Sequence, residues 1–134
     1  MTKTALQIKK SILDLLYQSD LGSSINGVIC YNGLRPKDST KEDIVLSFTA
    51  GQTDQIQTGI LTINIYTSDL EYNGSYYQNV QRCEEIEALA QSFVDNVRLS
   101  DGFYIELNQT IDTMADEELH QHFTVVKLKY KLFT

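Results

Sequence analysis

The chain has 134 residues, with 18 acidic against 11 basic side chains, two cysteines and one proline. That length suits a single domain, 1–134, with one core and no need of disulfides or a structural metal. A net charge of -7 argues against a protein that wraps nucleic acid, because affinity for phosphates comes mainly from Lys and Arg.

The opening MTKTALQIKK lacks the apolar core of a signal peptide, and no apolar run is long enough to span a bilayer. Residues 4–18 read as a helix. Ala5, Ile8, Ile12, Leu15 and Leu16 form its apolar stripe and Thr4 its N-cap. Gly27–Tyr31 reads as a short strand. Residues 32–41, NGLRPKDSTK, are a loop marked by Asn-Gly and the proline. Arg35, Lys37 and Lys41 concentrate basic charge there, as a solvated loop or as a docking loop for an acidic partner.

Asp43–Thr49 is the next strand, with Ala50–Thr53 as the expected turn into Gln55–Tyr66, QIQTGILTINIY. There Leu61, Ile63 and Ile65 alternate with Ile60, Thr62, Asn64 and Tyr66, the period of a half-buried strand. This is the expected centre of the sheet. Gly59 within it points to a bulge or a close backbone approach. Residues 67–77 read as a polar loop. Its Tyr72, Tyr76 and Tyr77 are either interface anchors or a staple for the next helix.

Residues 78–98 read as an amphipathic helix of about six turns, with Val80, Cys83, Ile86, Ala90, Phe93 and Val97 on its apolar side. Asp101-Gly102 closes the connection that follows. Phe103–Leu107 is a strand, 108–118 an acidic loop, and Gln121–Phe133 a long alternating strand. Val126, Leu128, Tyr130 and Leu132 share one face of it. Lys127, Lys129 and Lys131 lie on the other, as a solvated face or a guarded edge. The whole predicts an α+β domain with one mostly antiparallel sheet packed against two amphipathic helices.

No Gly-x-Ser-x-Gly elbow, P-loop, GxGxxG or CxxC is present. Cys30 and Cys83 sit in apolar contexts and read as small buried side chains. His120 and His122 share a face if both are in a strand, which would allow them to grip one metal. No third ligand is spaced for it, and two surface histidines is the plainer reading. The residues therefore predict no enzyme and no cofactor.

The order of elements, with GILTINIYTSDL ending a strand in NIY at Asn64–Tyr66, a polar loop before a long helix, and HFTVVKLKYKL at the end, resembles the tail-terminator and tail-completion (head–tail joining) proteins of long-tailed bacteriophages. The resemblance covers nearly the whole chain but is one of layout. It implies a structural virion protein, assembled in the host cytoplasm. Such proteins often form a hexameric ring that caps the tail tube and joins it to the head connector, with DNA passing through unbound. The implied partners are further copies of the chain, the tail tube protein and the connector or stopper. Interaction is expected at Arg35, Lys37, Lys41, Tyr72, Tyr76, Tyr77, Lys127, Lys129 and Lys131. Lysines lining a lumen would hold DNA, so Lys127, Lys129 and Lys131 belong outside it or in a contact with the acidic Glu84–Glu87 helix. Another phage neck protein and a monomeric regulatory binding module are the alternatives.

Overall fold

A computed structural model describes residues 2–97 and 103–133. Arg98, the expected last residue of the long helix, and the stop at Asp101-Gly102 lie outside the described residues. Among the described residues three helices, α1 (Ala5–Tyr17), α2 (Asp20–Ser24) and α3 (Val80–Asn96), accompany eight strands. These are β1 (Ile29–Tyr31), β2 (Ile44–Thr53), β3 (Ile56–Ser68), β4 (Leu70–Tyr72), β5 (Ser75–Tyr77), β6 (Phe103–Leu107), β7 (Asp112–Asp116) and β8 (Gln121–Phe133).

The main sheet runs β1-β2-β3-β8-β6, with β7 also paired to β8. All its pairings are antiparallel except β1 with β2, so the fold is α+β and mostly antiparallel, as the sequence predicts. β3 sits at the middle. Its register sets Ile63 opposite Leu46 on one side and Val126 on the other, and Leu61 opposite Phe48 and Leu128. Because side chains alternate across a strand, these residues form one continuous inner face. α1 and α3 cover that face, and Ile8, Ile12 and Leu16 of one helix and Ile86, Ala90 and Phe93 of the other join a single core with it. Full burial of each Leu or Ile stabilises by about 1.5–3 kcal/mol.

α1 begins where the sequence places its cap. Thr4 accepts from Gln7 N–H, and the Gln7 side chain accepts in return from Thr4 N–H, a reciprocal capping box. The Gln57 side chain then ties Lys3 to the sheet, accepting from its N–H at 2.9 Å and donating to its carbonyl at 2.7 Å. Gly59 makes the expected close approach. A Cβ there would lie 2.2 Å from the Phe48 ring and 2.9 Å from the Thr49 carbonyl oxygen. The register irregularity, however, falls on the opposite strand, between Ala50 and Thr53.

Five expectations need correction. The hairpin turn is at 54–55 rather than Ala50–Thr53, because β2 and β3 continue as an exposed ribbon held by backbone pairing, which leaves no apolar pattern to read. Residues 67–77 are not a loop: β3 continues to Ser68, and β4 and β5 form a separate hairpin. Its turn residues Asn73 and Gly74 have φ of 52° and 80°, as a two-residue type I′ turn demands. The acidic 108–118 stretch contains β7, paired with β8 from Asp112↔Val125 to Asp116↔Gln121. α3 spans 17 residues and not six turns, and both Val80 and Ala5 fall outside their buried stripes. The short α2, capped by Ser19, is a further element between α1 and β1.

Candidate interaction surfaces

Among the described residues no helix lies on the outer face of the sheet, and what covers or leaves it open decides which side chains can meet a partner. One end is closed by the 32–41 loop. Arg35 is turned inward there. Its Nε donates to Asp43 Oδ2 at 2.8 Å, and its Nη2 donates to Gln121 Oε1 at 2.9 Å and to the Ser39 and Lys41 carbonyls. The guanidinium also lies 3.8 Å from the centre of the Tyr66 ring, a cation–π contact that covers the sheet end. Asp43 is 1% exposed and accepts three hydrogen bonds, from Arg35, from Ser39 Oγ at 2.6 Å and from Val28 N–H at 2.8 Å. Burial pushes its pKa up. The Ser39, Val28 and Arg35 hydrogen bonds together with the Arg35 charge outweigh that and hold it below the usual aspartate value. Lys37 and Lys41 remain exposed. Of the three basic loop residues, then, Arg35 holds the loop and the two lysines face solvent.

A lobe projects beside this end. The β4–β5 arm is exposed along its whole length, and presents Leu70, Tyr72, Tyr76 and Tyr77. It is pinned to the β7–β8 turn: the Tyr76 ring stacks on His120 with centroids 3.7 Å apart and planes 10° from parallel. Asp69 N–H also donates to the His120 carbonyl at 3.0 Å. Glu71 on the arm and Glu117 and Glu118 in the turn are exposed and form no ion pair among the described residues. Arm and turn thus make one acidic, aromatic lobe. Of the three tyrosines, Tyr76 has an intramolecular role, while Tyr72 is 71% exposed and points to no core.

The other end of the outer face is basic. Lys127, Lys129 and Lys131 follow one another along β8, opposite Thr62, Ile60 and Thr58 of β3. Lys131 lies 3.7 Å from Glu106, an exposed pair of little energetic weight. Lys127 and Lys129 have no ion pair among the described residues. Tyr104 and Phe133 stand beside them, edge to face at 5.3 Å and both exposed. The Glu84–Glu87 stretch is less available to such a face than its sequence suggests. Glu85 is paired with Arg82 at 2.9 Å, and Glu87 accepts from Thr113 Oγ1 at 2.6 Å.

The two histidines do not share a strand face. His120 sits in the turn at φ 52°, whereas His122 is within β8, its Nδ1 2.6 Å from Asp69 Oδ1. Among the described residues no group of three or more His, Cys, Asp or Glu side chains could hold a metal ion. Both cysteine thiols are pushed up in pKa, chiefly by burial, which keeps them protonated and unreactive at neutral pH. No helix among the described residues is long and apolar enough to cross a membrane.

The sequence reading missed Asp43 and Gln121, the partners that turn Arg35 inward. Gln121 is 86 residues away from Arg35, so no local spacing marks the pair. It also missed the lobe, although Asn73-Gly74 between two short tyrosine-bearing segments is a hairpin signal.

No protein-family model and no curated protein matches the chain. Among solved structures, one superposes over 98% of this chain and 96% of its own, with a TM-score of 0.57 and 12% identity. At that identity the likeness is one of fold alone.

Proposed function

We propose that the protein is a structural component of a long-tailed phage: a tail terminator that forms a ring, caps the tail tube and joins it to the head connector. The observation that carries this reading is the projecting arm. Exposed Tyr72 and Tyr77 on this hairpin are the kind of side chains that anchor protein interfaces. A protein working by surface complementarity needs such anchors and no reacting groups. The sequence layout described above supports the same reading. The acidic overall charge suits a passage through which DNA slides without sticking. In this reading the ring's partners are other copies of the chain, the tube protein and the connector.

The test is to mix tagged protein with tubes assembled from a tail tube protein of the same phage. A terminator labels one end of each tube and stops its growth. Replacing Tyr72 and Tyr77 with Ser, and leaving Tyr76 to hold the arm on His120, abolishes the labelling while the fold, followed by circular dichroism, persists. Tubes that grow unchecked and carry no label at either end refute the reading.

A further inference from the structure

The molecule carries two surfaces of opposite character that cannot satisfy each other within one chain. The lobe presents Glu71, Glu117 and Glu118 beside Leu70, Tyr72, Tyr77 and Leu119. The open sheet face presents Lys127 and Lys129 beside Ile60, Tyr104 and Phe133. Along β8, His122 at the lobe and Lys129 are separated by seven residues, roughly 24 Å at the rise of an antiparallel strand. The strand between them is paired with β3 throughout, and with β7 or β6 at every position but Val126 and Lys127, so the lobe of a molecule cannot fold back over its own lysines. The charges are complementary, the apolar side chains flank them on both surfaces, and a second copy always supplies both in equal number.

We propose that the acidic aromatic lobe of one subunit docks on the basic sheet face of the next, Glu71, Glu117 and Glu118 meeting Lys127 and Lys129. The two surfaces differ, so the contact is heterologous; repeated with a closing rotation it generates a ring. This deepens the ring assembly proposed above and rests on it. It also gives the lysines a role outside a DNA passage, and replaces the Glu84–Glu87 helix, whose Glu85 and Glu87 are already engaged, with carboxylates that form no ion pair among the described residues.

Two charge-reversed variants test it, one with Lys127→Glu and Lys129→Glu, the other with Glu71→Lys, Glu117→Lys and Glu118→Lys. All five residues lie outside the core. Circular dichroism checks the fold, and the neutral Lys127→Gln, Lys129→Gln pair stands in if reversal disturbs it. Light scattering over a concentration series then reads assembly. Each variant alone raises the assembly midpoint by roughly tenfold or more, since like charges now face each other. An equimolar mixture restores closed oligomers of wild-type mass, because every junction in an alternating ring again pairs opposite charges. If either variant alone assembles like the wild type, or mixing restores nothing, this contact is wrong while the ring can stand on another. If the wild type itself stays monomeric at every concentration, ring and contact fall together.

Discussion

Asp43→Asn removes one charge and changes no shape, which makes it a sharp probe of what holds the 32–41 loop on the sheet. Asp43 Oδ2 accepts from Arg35 Nε and Ser39 Oγ, and Oδ1 accepts from Val28 N–H. Asparagine offers one oxygen and one NH2. If the oxygen faces Arg35 and Ser39, the NH2 meets the Val28 N–H; flipped, it meets the other two donors. Either way a donor faces a donor in a site that is 1% exposed, and Arg35 loses the one carboxylate it meets among the described residues. Breaking a buried pair by removing one partner costs about 3–5 kcal/mol. In a chain of this size that lowers the melting temperature by about 10 °C or more. The pH dependence carries a second signature. The folded pKa of Asp43 lies below its unfolded value, which is about 4 for an ordinary aspartate. Its contribution is therefore fully present above that pH and is lost as pH falls through the folded value. Urea unfolding from pH 7 into acid should show a large gap between wild type and variant at neutral pH that narrows in acid. A variant within about 1 kcal/mol of wild type at pH 7, a small surface-like effect, or a gap unchanged down to the lowest pH refutes the reasoning.

Gly59→Ala places a Cβ 2.2 Å from the Phe48 ring and 2.9 Å from a backbone oxygen. The crowding should cost about 1–3 kcal/mol in urea unfolding and less in a Phe48→Leu background; an alanine variant as stable as wild type counts against the packing described. Tyr130 has a buried hydroxyl with no hydrogen-bond partner among the described residues, so Tyr130→Phe should be neutral or stabilising by about 1 kcal/mol, and a marked loss would contradict the structure. Burial pushes the same phenol up to about 12. Alkaline titration by ultraviolet absorbance should thus show one late-ionising tyrosine that the Phe variant lacks.

What the sequence revealed follows from what alternation can encode. β3 and β8 each bury one face, so Leu61, Ile63 and Ile65 and Val126, Leu128, Tyr130 and Leu132 announce themselves at period two, and their mutual pairing follows from the register. Ile8, Ile12 and Leu16 and the Thr4 cap do the same for α1. β4, β5 and the far half of β2 bury nothing, so they carry no period and read as turn or loop. β7 is hidden for a related reason: its inward Thr113 bonds Glu87 and Thr124 instead of packing apolar surface. Of the candidate surfaces, the residue types were legible and their state was not. Nothing near Arg35 in the chain announces Gln121 or Tyr66, whereas Lys127 and Lys129 stay exposed or half-exposed because alternation alone places them outward.

Ring formation is the claim on which the functional account depends, and the mass of the purified protein in solution tests it most directly. Light scattering on a sizing column, over a wide concentration range, should show a single closed oligomer whose mass stops rising with concentration. A protein that remains monomeric throughout contradicts the account, and so does one whose mass grows without limit.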